Sequence, residues 1–109
     1  MVEKKSLNQK TKRQVLNYLS LLKEKGVFVE KAIVFGSQAK GKSKVWSDID
    51  ICLVSKKFKV DTFNQTVKLA LIAHKASLDI EPHLYHPAGL REKYDPLASE
   101  IRKYGIEVK

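Results

Sequence analysis

The chain has 109 residues, of which 43% are hydrophobic and 30% are charged. This length suits one small domain over residues 1–109, and the hydrophobic content excludes a disordered chain. The 21 Lys and Arg residues outnumber the 12 Asp and Glu residues, and the net charge of +9 either favours polyanionic partners or only maintains solubility. The polar start and the lack of a long apolar segment predict no signal peptide, no membrane span and a cytoplasmic location.

Hydrophobic periodicity predicts a first helix and a first strand in the N-terminal third of the chain. The helix covers residues 6–25, with Ser6 as its N-cap and Gly26 at its end. Its apolar positions at helical spacing are Leu7, Val15, Leu16, Leu19 and Leu22. Residues 32–35 form a short apolar run that stops at Gly36, which predicts a buried strand.

The middle of the chain predicts a short helix with a loop, a second strand and a second long helix. The polar residues 37–47 hold the short helix and the loop, and the second strand is "SDIDICLV", residues 47–54. Cys52 lies in the apolar part of this strand, where a buried and inert thiol is expected. Since it is the only cysteine, no disulfide can form within the chain.

An exposed connection over residues 55–61 leads to the long helix over residues 61–76, which Asp61 or Thr62 caps. The predicted apolar face of this helix comprises Phe63, Val67, Ala70, Leu71 and His74.

A third strand and a last helix complete the prediction. The strand is "SLDIEPHLY", residues 77–85. Pro82 either places it at an edge of the sheet or bends it there, because proline cannot donate to a ladder. The helix covers residues 96–104, with proline at its start and Gly105 just past its end. The resulting α-β-α-β-α-β-α order predicts an α/β fold, a small mixed β-sheet flanked by helices.

Two aspartates stand in the otherwise apolar second strand. Asp48 and Asp50 share one face, roughly 6–7 Å apart along the strand, while Ile49 and Ile51 point to the other face and the core. Carboxylates at this separation repel each other unless a cation lies between them, and Mg²⁺ is the hard, oxygen-preferring candidate. Taken alone, the pair is also explained if Asp48 caps a helix or turn and Asp50 is a surface residue.

The residues just before the aspartates favour the metal interpretation. Gly36 and Ser37 directly follow a strand, where a glycine permits close backbone approach and free N–H groups of a helix start bind anions. Lys40 and Lys42 add positive charge beside them. A phosphate-binding turn followed by a metal-binding pair suits phosphoryl or nucleotidyl transfer. The segment "GSQAKGKS" also matches the Walker A pattern formally, but that pattern leaves the aspartates unexplained.

The run from Ile33 to Val54, with its Gly-Ser turn and its D-x-D pair, resembles the signature of the DNA polymerase beta-like nucleotidyltransferase superfamily. The short chain resembles the minimal nucleotidyltransferases of bacteria and archaea, the MNT components of HEPN/MNT toxin–antitoxin pairs. The resemblance implies that Gly36 and Ser37 hold the triphosphate of an NTP. It also implies that Asp48 and Asp50 hold two Mg²⁺ ions together with a third acid on a later strand.

The third acid is expected in the strand over residues 77–85, where Asp79 and Glu81 share a face. The family's layout favours Glu81 over Asp79, although Pro82 directly after Glu81 could turn the strand away. Glu81 or Asp79 also becomes the candidate to assist deprotonation of the acceptor hydroxyl. His83 lies on the same face if the strand is regular and is a candidate supporting group for the metals.

Three functions remain open from the sequence. The first is transfer of AMP from ATP to a hydroxyl, with a tyrosine of a HEPN toxin as the acceptor that the resemblance implies. The second is a non-catalytic antitoxin that masks its partner. The third is a basic nucleic-acid-binding module, which is disfavoured because no basic strand interleaved with aromatic residues is present.

Overall fold

A four-stranded mixed sheet with helices on both faces organises the residues that the computed structural model describes, namely 7–41, 48–58, 63–77 and 79–109. The strands are β1 (Lys31–Phe35), β2 (Ile49–Val54), β3 (Ile80–Tyr85) and β4 (Ile106–Glu107). The helices are α1 (Gln9–Glu24), α2 (Ser37–Lys40), α3 (Phe63–Ala76), α4 (Pro87–Leu90) and α5 (Pro96–Tyr104). The predicted fold class and the order of its elements are confirmed, with α4 and β4 as additions.

The strand order is β3-β2-β1-β4, so β2 lies between β1 and β3. β1 runs antiparallel to both β2 and β4, whereas β2 and β3 are parallel. A parallel pair needs a crossover connection, and α3 lies within the one between β2 and β3. β3 is an edge strand of this sheet, as the proline within it predicts.

The sheet buries apolar side chains on both faces, and alternation along β2 separates them. Ile49, Ile51 and Leu53 belong to the larger core, which packs on α1 and α3. Cys52 and Val54 belong to a smaller core with residues of α4 and α5. We call the face of the sheet that carries Ile49, Ile51 and Leu53 the first face, and the face that carries Cys52 and Val54 the second face. Cys52 is fully buried, as predicted, and burial raises the pKa of its thiol to about 12, which disfavours the reactive thiolate.

Helix α1 begins later than the sequence predicts. Asn8 is its N-cap, and its side chain accepts a hydrogen bond from the Lys10 N–H at 2.7 Å. The predicted cap, Ser6, lies outside the described residues. The predicted stripe is correct at Val15 and Leu22, which are buried, but Leu16 is 43% exposed.

The predicted apolar face of α3 is wrong. The helix buries Leu69, Ile72 and Ala73, whereas Phe63 and Leu71 of the predicted face are 73% and 61% exposed. At about 100° per residue these two stripes lie on opposite sides of the helix, and both contain apolar residues. Periodicity therefore could not decide between them. The predicted caps Asp61 and Thr62 lie outside the described residues.

Strand boundaries and connections also differ in detail. β2 begins at Ile49, so that Asp48 precedes it, and β3 begins at Ile80 because Asp79 lies in a turn where its N–H donates to the Ser77 hydroxyl at 3.2 Å. The connection after β2 is not wholly exposed, since Ser55 and Phe58 are buried. Among the described residues, no helix has the length and apolar character needed to cross a membrane.

Candidate active site

The register of the sheet brings two acidic side chains together on its second face. Asp50 on β2 pairs with Phe35 on one side and with Glu81 on the other. Side chains of directly paired residues lie about 4.5–5.5 Å apart at their Cβ atoms. Asp50 is half-buried and Glu81 is exposed, so the pair stands at the border between the smaller core and solvent.

His83 joins these two acids. Its Nε2 atom lies 3.3 Å from Asp50 Oδ1, and its ring makes an edge contact with the buried Phe35 ring at 5.0 Å between centroids. Asp50, Glu81 and His83 each offer one metal-ligand atom, and these atoms all lie within 4.8 Å of one another. We call them the Asp50–Glu81–His83 group.

Gly36 approaches this group through its backbone. Its φ of 74° and ψ of −151° belong to a region that essentially only glycine adopts. A Cβ atom at this position would lie 2.6 Å from Asp50 Oδ2. The glycine that ends β1 therefore leaves the space that the Asp50 carboxylate occupies.

A buried hydrogen bond fixes helix α2, which starts directly after Gly36. The Thr11 hydroxyl of α1 donates to Gln38 Oε1 at 3.0 Å, and both residues are at most 9% exposed. Among the described residues no side chain caps the start of α2, so none of them competes with an anion for its first N–H groups. Thr11 and Gln38 are not among the predicted site residues, because no local sequence pattern marks either of them.

Comparison with known proteins assigns the chain to a family. The model of the nucleotidyltransferase domain family matches residues 12–108. The chain belongs to this family. This match confirms the superfamily that the sequence resembles. A nucleotidyltransferase domain uses a nucleoside triphosphate and transfers its nucleoside monophosphate.

A solved structure shares the nucleotidyltransferase fold. It comes from Sulfolobus solfataricus and carries a provisional assignment as a nucleotidyltransferase. The two chains are 18% identical with a TM-score of 0.51, over 92% of this chain and 86% of the other. No curated protein matches the chain.

The donor set of the Asp50–Glu81–His83 group fits the divalent metal that nucleotidyltransferases typically use. Two carboxylates supply hard oxygen ligands and the imidazole supplies a nitrogen. Asp50 is half-buried, and its carboxylate packs against the Gly36 backbone in the space that a Cβ atom would fill.

The other acids predicted for the nucleotidyltransferase site lie outside this group. Asp48 is exposed and precedes β2. Asp79 is half-buried in the turn before β3, where its backbone carbonyl accepts the Ile49 N–H at 2.7 Å. The alternation that would place it beside Glu81 does not extend into this turn.

Of the two lysines predicted to bind phosphate, the structure describes Lys40, which forms an ion pair. Lys40 Nζ lies 2.7 Å from Glu100 Oε1 on α5 and 5.0 Å from the centroid of the Tyr104 ring. The hydrogen bond to Glu100 is the main cause that raises the pKa of Lys40. This lysine already has an acidic partner, and Lys42 lies outside the described residues.

Proposed function

We propose that this nucleotidyltransferase transfers AMP from ATP to a hydroxyl group in a reaction that requires Mg²⁺. The observation that carries the proposal is the position of Asp50 next to Glu81 and directly beside the Gly36 backbone. A metal-binding acid pair next to a glycine turn is the arrangement that nucleotidyl transfer needs.

Each residue of the site has a role in the proposal. Asp50 and Glu81, with Asp48 just before β2, would hold two Mg²⁺ ions, and these ions would supply positive charge for the ATP α-phosphate. Ser37 and the first N–H groups of α2 bind the triphosphate in this proposal. Because Lys40 pairs with Glu100, it contributes to phosphate binding only if that ion pair opens.

The chemical step exchanges the phosphoanhydride bond between the α- and β-phosphates of ATP for a phosphodiester bond to the acceptor. The acceptor oxygen forms a bond to the α-phosphorus, the bond from that phosphorus to the β-phosphate oxygen breaks, and pyrophosphate leaves. The hydroxyl proton passes to a carboxylate, and Glu81 is the better placed of the two candidates because it lies in the strand beside Asp50.

The third acid is tested by a pair of variants that remove one negative charge each. We expect Glu81→Gln to reduce transfer at least about 100-fold, since a metal ligand matters at least as much as the groups that orient it. Asp79→Asn is expected to lose much less. A larger loss in Asp79→Asn would make Asp79 the third acid.

We further propose that the acceptor is a tyrosine of a helical HEPN-type toxin, which makes this chain an antitoxin. The exposed apolar residues of α3, Phe63, Val67 and Leu71, support a protein partner because they offer an uncovered helix face. The second candidate is a non-catalytic antitoxin that only masks its partner.

The decisive experiment incubates the chain with labelled ATP, Mg²⁺ and the product of the neighbouring gene, and measures the intact mass of that product. Addition of AMP units, lost in a folded Asp50→Asn variant, is the expected result. Full activity of Asp50→Asn would contradict the proposed site. Binding without any AMP addition would favour the masking function.

A further inference from the structure

His83 belongs to the Asp50–Glu81–His83 group, yet the proposed transfer reaction uses only the two acids of this group. We propose that His83 supplies a nitrogen ligand to the cation held by Asp50 and Glu81, and that the site therefore prefers first-row transition-metal cations to Mg²⁺. This inference rests on the proposed function in one respect, since both take the Asp50–Glu81–His83 group as the cation site.

The geometry of the three side chains suits a shared cation. Ligand atoms at about 2.0–2.1 Å from an octahedral ion lie roughly 3–4 Å from one another. The atoms of the Asp50–Glu81–His83 group all lie within 4.8 Å, so small side-chain rotations bring them to these separations.

Packing holds the imidazole in place without closing it off. Phe35, only 3% exposed, contacts the His83 ring edge-to-face, with 64° between the ring planes. The His83 side chain is 27% exposed, so one part of the ring faces solvent. Its 3.3 Å contact with Asp50 is longer than the usual hydrogen bond of about 2.9–3.0 Å, so exchanging it for a metal bond costs little.

The nature of the ligands then decides the preferred ion. Mg²⁺ takes oxygen ligands in a strict octahedron and keeps several waters. Transition-metal ions accept imidazole as well as carboxylate, and their affinity for a mixed site rises from Mn²⁺ upwards. Mn²⁺ has the lowest affinity of this series and gains the least binding free energy from the nitrogen ligand, so nitrogen coordination seen with Mn²⁺ is the strictest test.

The test titrates MnCl₂ into the full chain, follows free Mn²⁺ by electron paramagnetic resonance, and repeats the titration with competing Mg²⁺. Pulsed spectra are expected to show a ¹⁴N coupling that becomes a ¹⁵N coupling when the histidines are isotopically labelled. His83→Gln should lose this coupling and bind Mn²⁺ about 10–100-fold more weakly, with a much smaller change for Mg²⁺.

The other histidines provide a matched control that leaves His83 intact. His74 is exposed on α3, and His86 caps α4 by accepting the Ala88 N–H, a role that asparagine also fills. The double variant His74→Gln/His86→Asn is therefore expected to keep the nitrogen coupling.

Three results would overturn the inference: Mn²⁺ bound without nitrogen coupling, coupling that survives in His83→Gln, or no Mn²⁺ binding at all. The function is judged separately by AMP transfer in Mg²⁺. A chain that transfers AMP but shows no nitrogen coupling retains the function and loses only this inference.

Discussion

Gly36 and Asp50 lie so close together that the Asp50 carboxylate can keep its position only if residue 36 has no side chain. The backbone of Gly36 has a positive φ, and its missing Cβ leaves room for Asp50 Oδ2. Two demands therefore act at one position, one on backbone conformation and one on space. They can be separated experimentally.

The variant Gly36→Ala violates both demands at once. The added Cβ would meet the carboxylate at 2.6 Å, which displaces Asp50 or the turn. We expect AMP transfer and Mn²⁺ binding to fall about 10–100-fold, the range seen when a group that orients a metal ligand is lost. The backbone strain should also cost about 1–3 kcal/mol of stability, measured by urea unfolding.

Gly26→Ala is the control for this prediction. Gly26 also has a positive φ, of 77°, but an added Cβ meets nothing within 4 Å. It should lose about 1–2 kcal/mol of stability while retaining AMP transfer. Equal losses of transfer in the two variants would show that the contact with Asp50 is not what matters.

The sequence predicts part of this site and not the rest. The alternation of a strand places Asp50 and Glu81 on defined faces, and a glycine after a strand marks a close approach. The Thr11–Gln38 bond and the Lys40–Glu100 ion pair join residues 27 and 60 positions apart. Such contacts depend on how the helices pack on the sheet, and no local pattern encodes that packing.

At the scale of single elements, α3 shows how hydrophobicity alone misleads. Its buried and exposed stripes are both apolar, so only the packing against β3 and α1 shows which one faces the core. The exposed stripe is a feature of the surface and contributes little to the fold.

This assignment predicts unequal effects for two leucines of α3. Leu69 is 2% exposed, and Leu69→Ala should destabilise the fold by about 2–5 kcal/mol in chemical denaturation. Leu71 is 61% exposed, and Leu71→Ala should change stability by no more than about 0.5 kcal/mol. The reverse order of the two effects would mean that the helix is rotated.

The start of α5 predicts a pH effect. Asp95 accepts hydrogen bonds from the Ala98 and Leu97 N–H groups and from the Tyr85 hydroxyl, and the bond from Ala98 is the main cause that lowers its pKa. A lowered pKa means that the folded state favours the carboxylate. The stabilisation is therefore complete above the usual value of 3.8 and is lost as the pH falls below it.

Asp95→Asn tests this effect because asparagine keeps the capping oxygen but does not titrate. We expect the wild type to be the more stable protein at neutral pH, with a difference that stays constant down to about pH 5 and shrinks as the pH falls below 3.8. Thermal unfolding of both proteins across this range measures it. A difference independent of pH would exclude the carboxylate as its cause.

At the scale of the whole molecule, the net charge of +9 predicts how the chain meets polyanions. Generic RNA should bind weakly at low salt, without sequence preference, and dissociate between about 50 and about 200 mM salt. Fluorescence anisotropy with two unrelated RNAs measures this. Tight binding to one RNA that persists at high salt would favour a nucleic-acid-binding function over transfer.

The overall fold follows more directly from the sequence than its details do. Alternating helices and strands with clear breakers predict the layers and the order of the elements, because each layer must bury one apolar face. The two-residue β4 and the four-residue α4 carry too few residues for any periodicity. Tertiary pairing with β1 forms β4, and Pro87 with the His86 cap forms α4.

The two outer strands of the described sheet have a consequence for behaviour at high concentration. One edge, β3, carries Pro82 in its middle, and the other, β4, is only two residues long. A proline withholds an N–H group, and a short strand offers few groups for pairing with another molecule. The sheet is thus poorly suited to templating edge-to-edge aggregation, which matters for a protein whose uncovered helix face is already apolar.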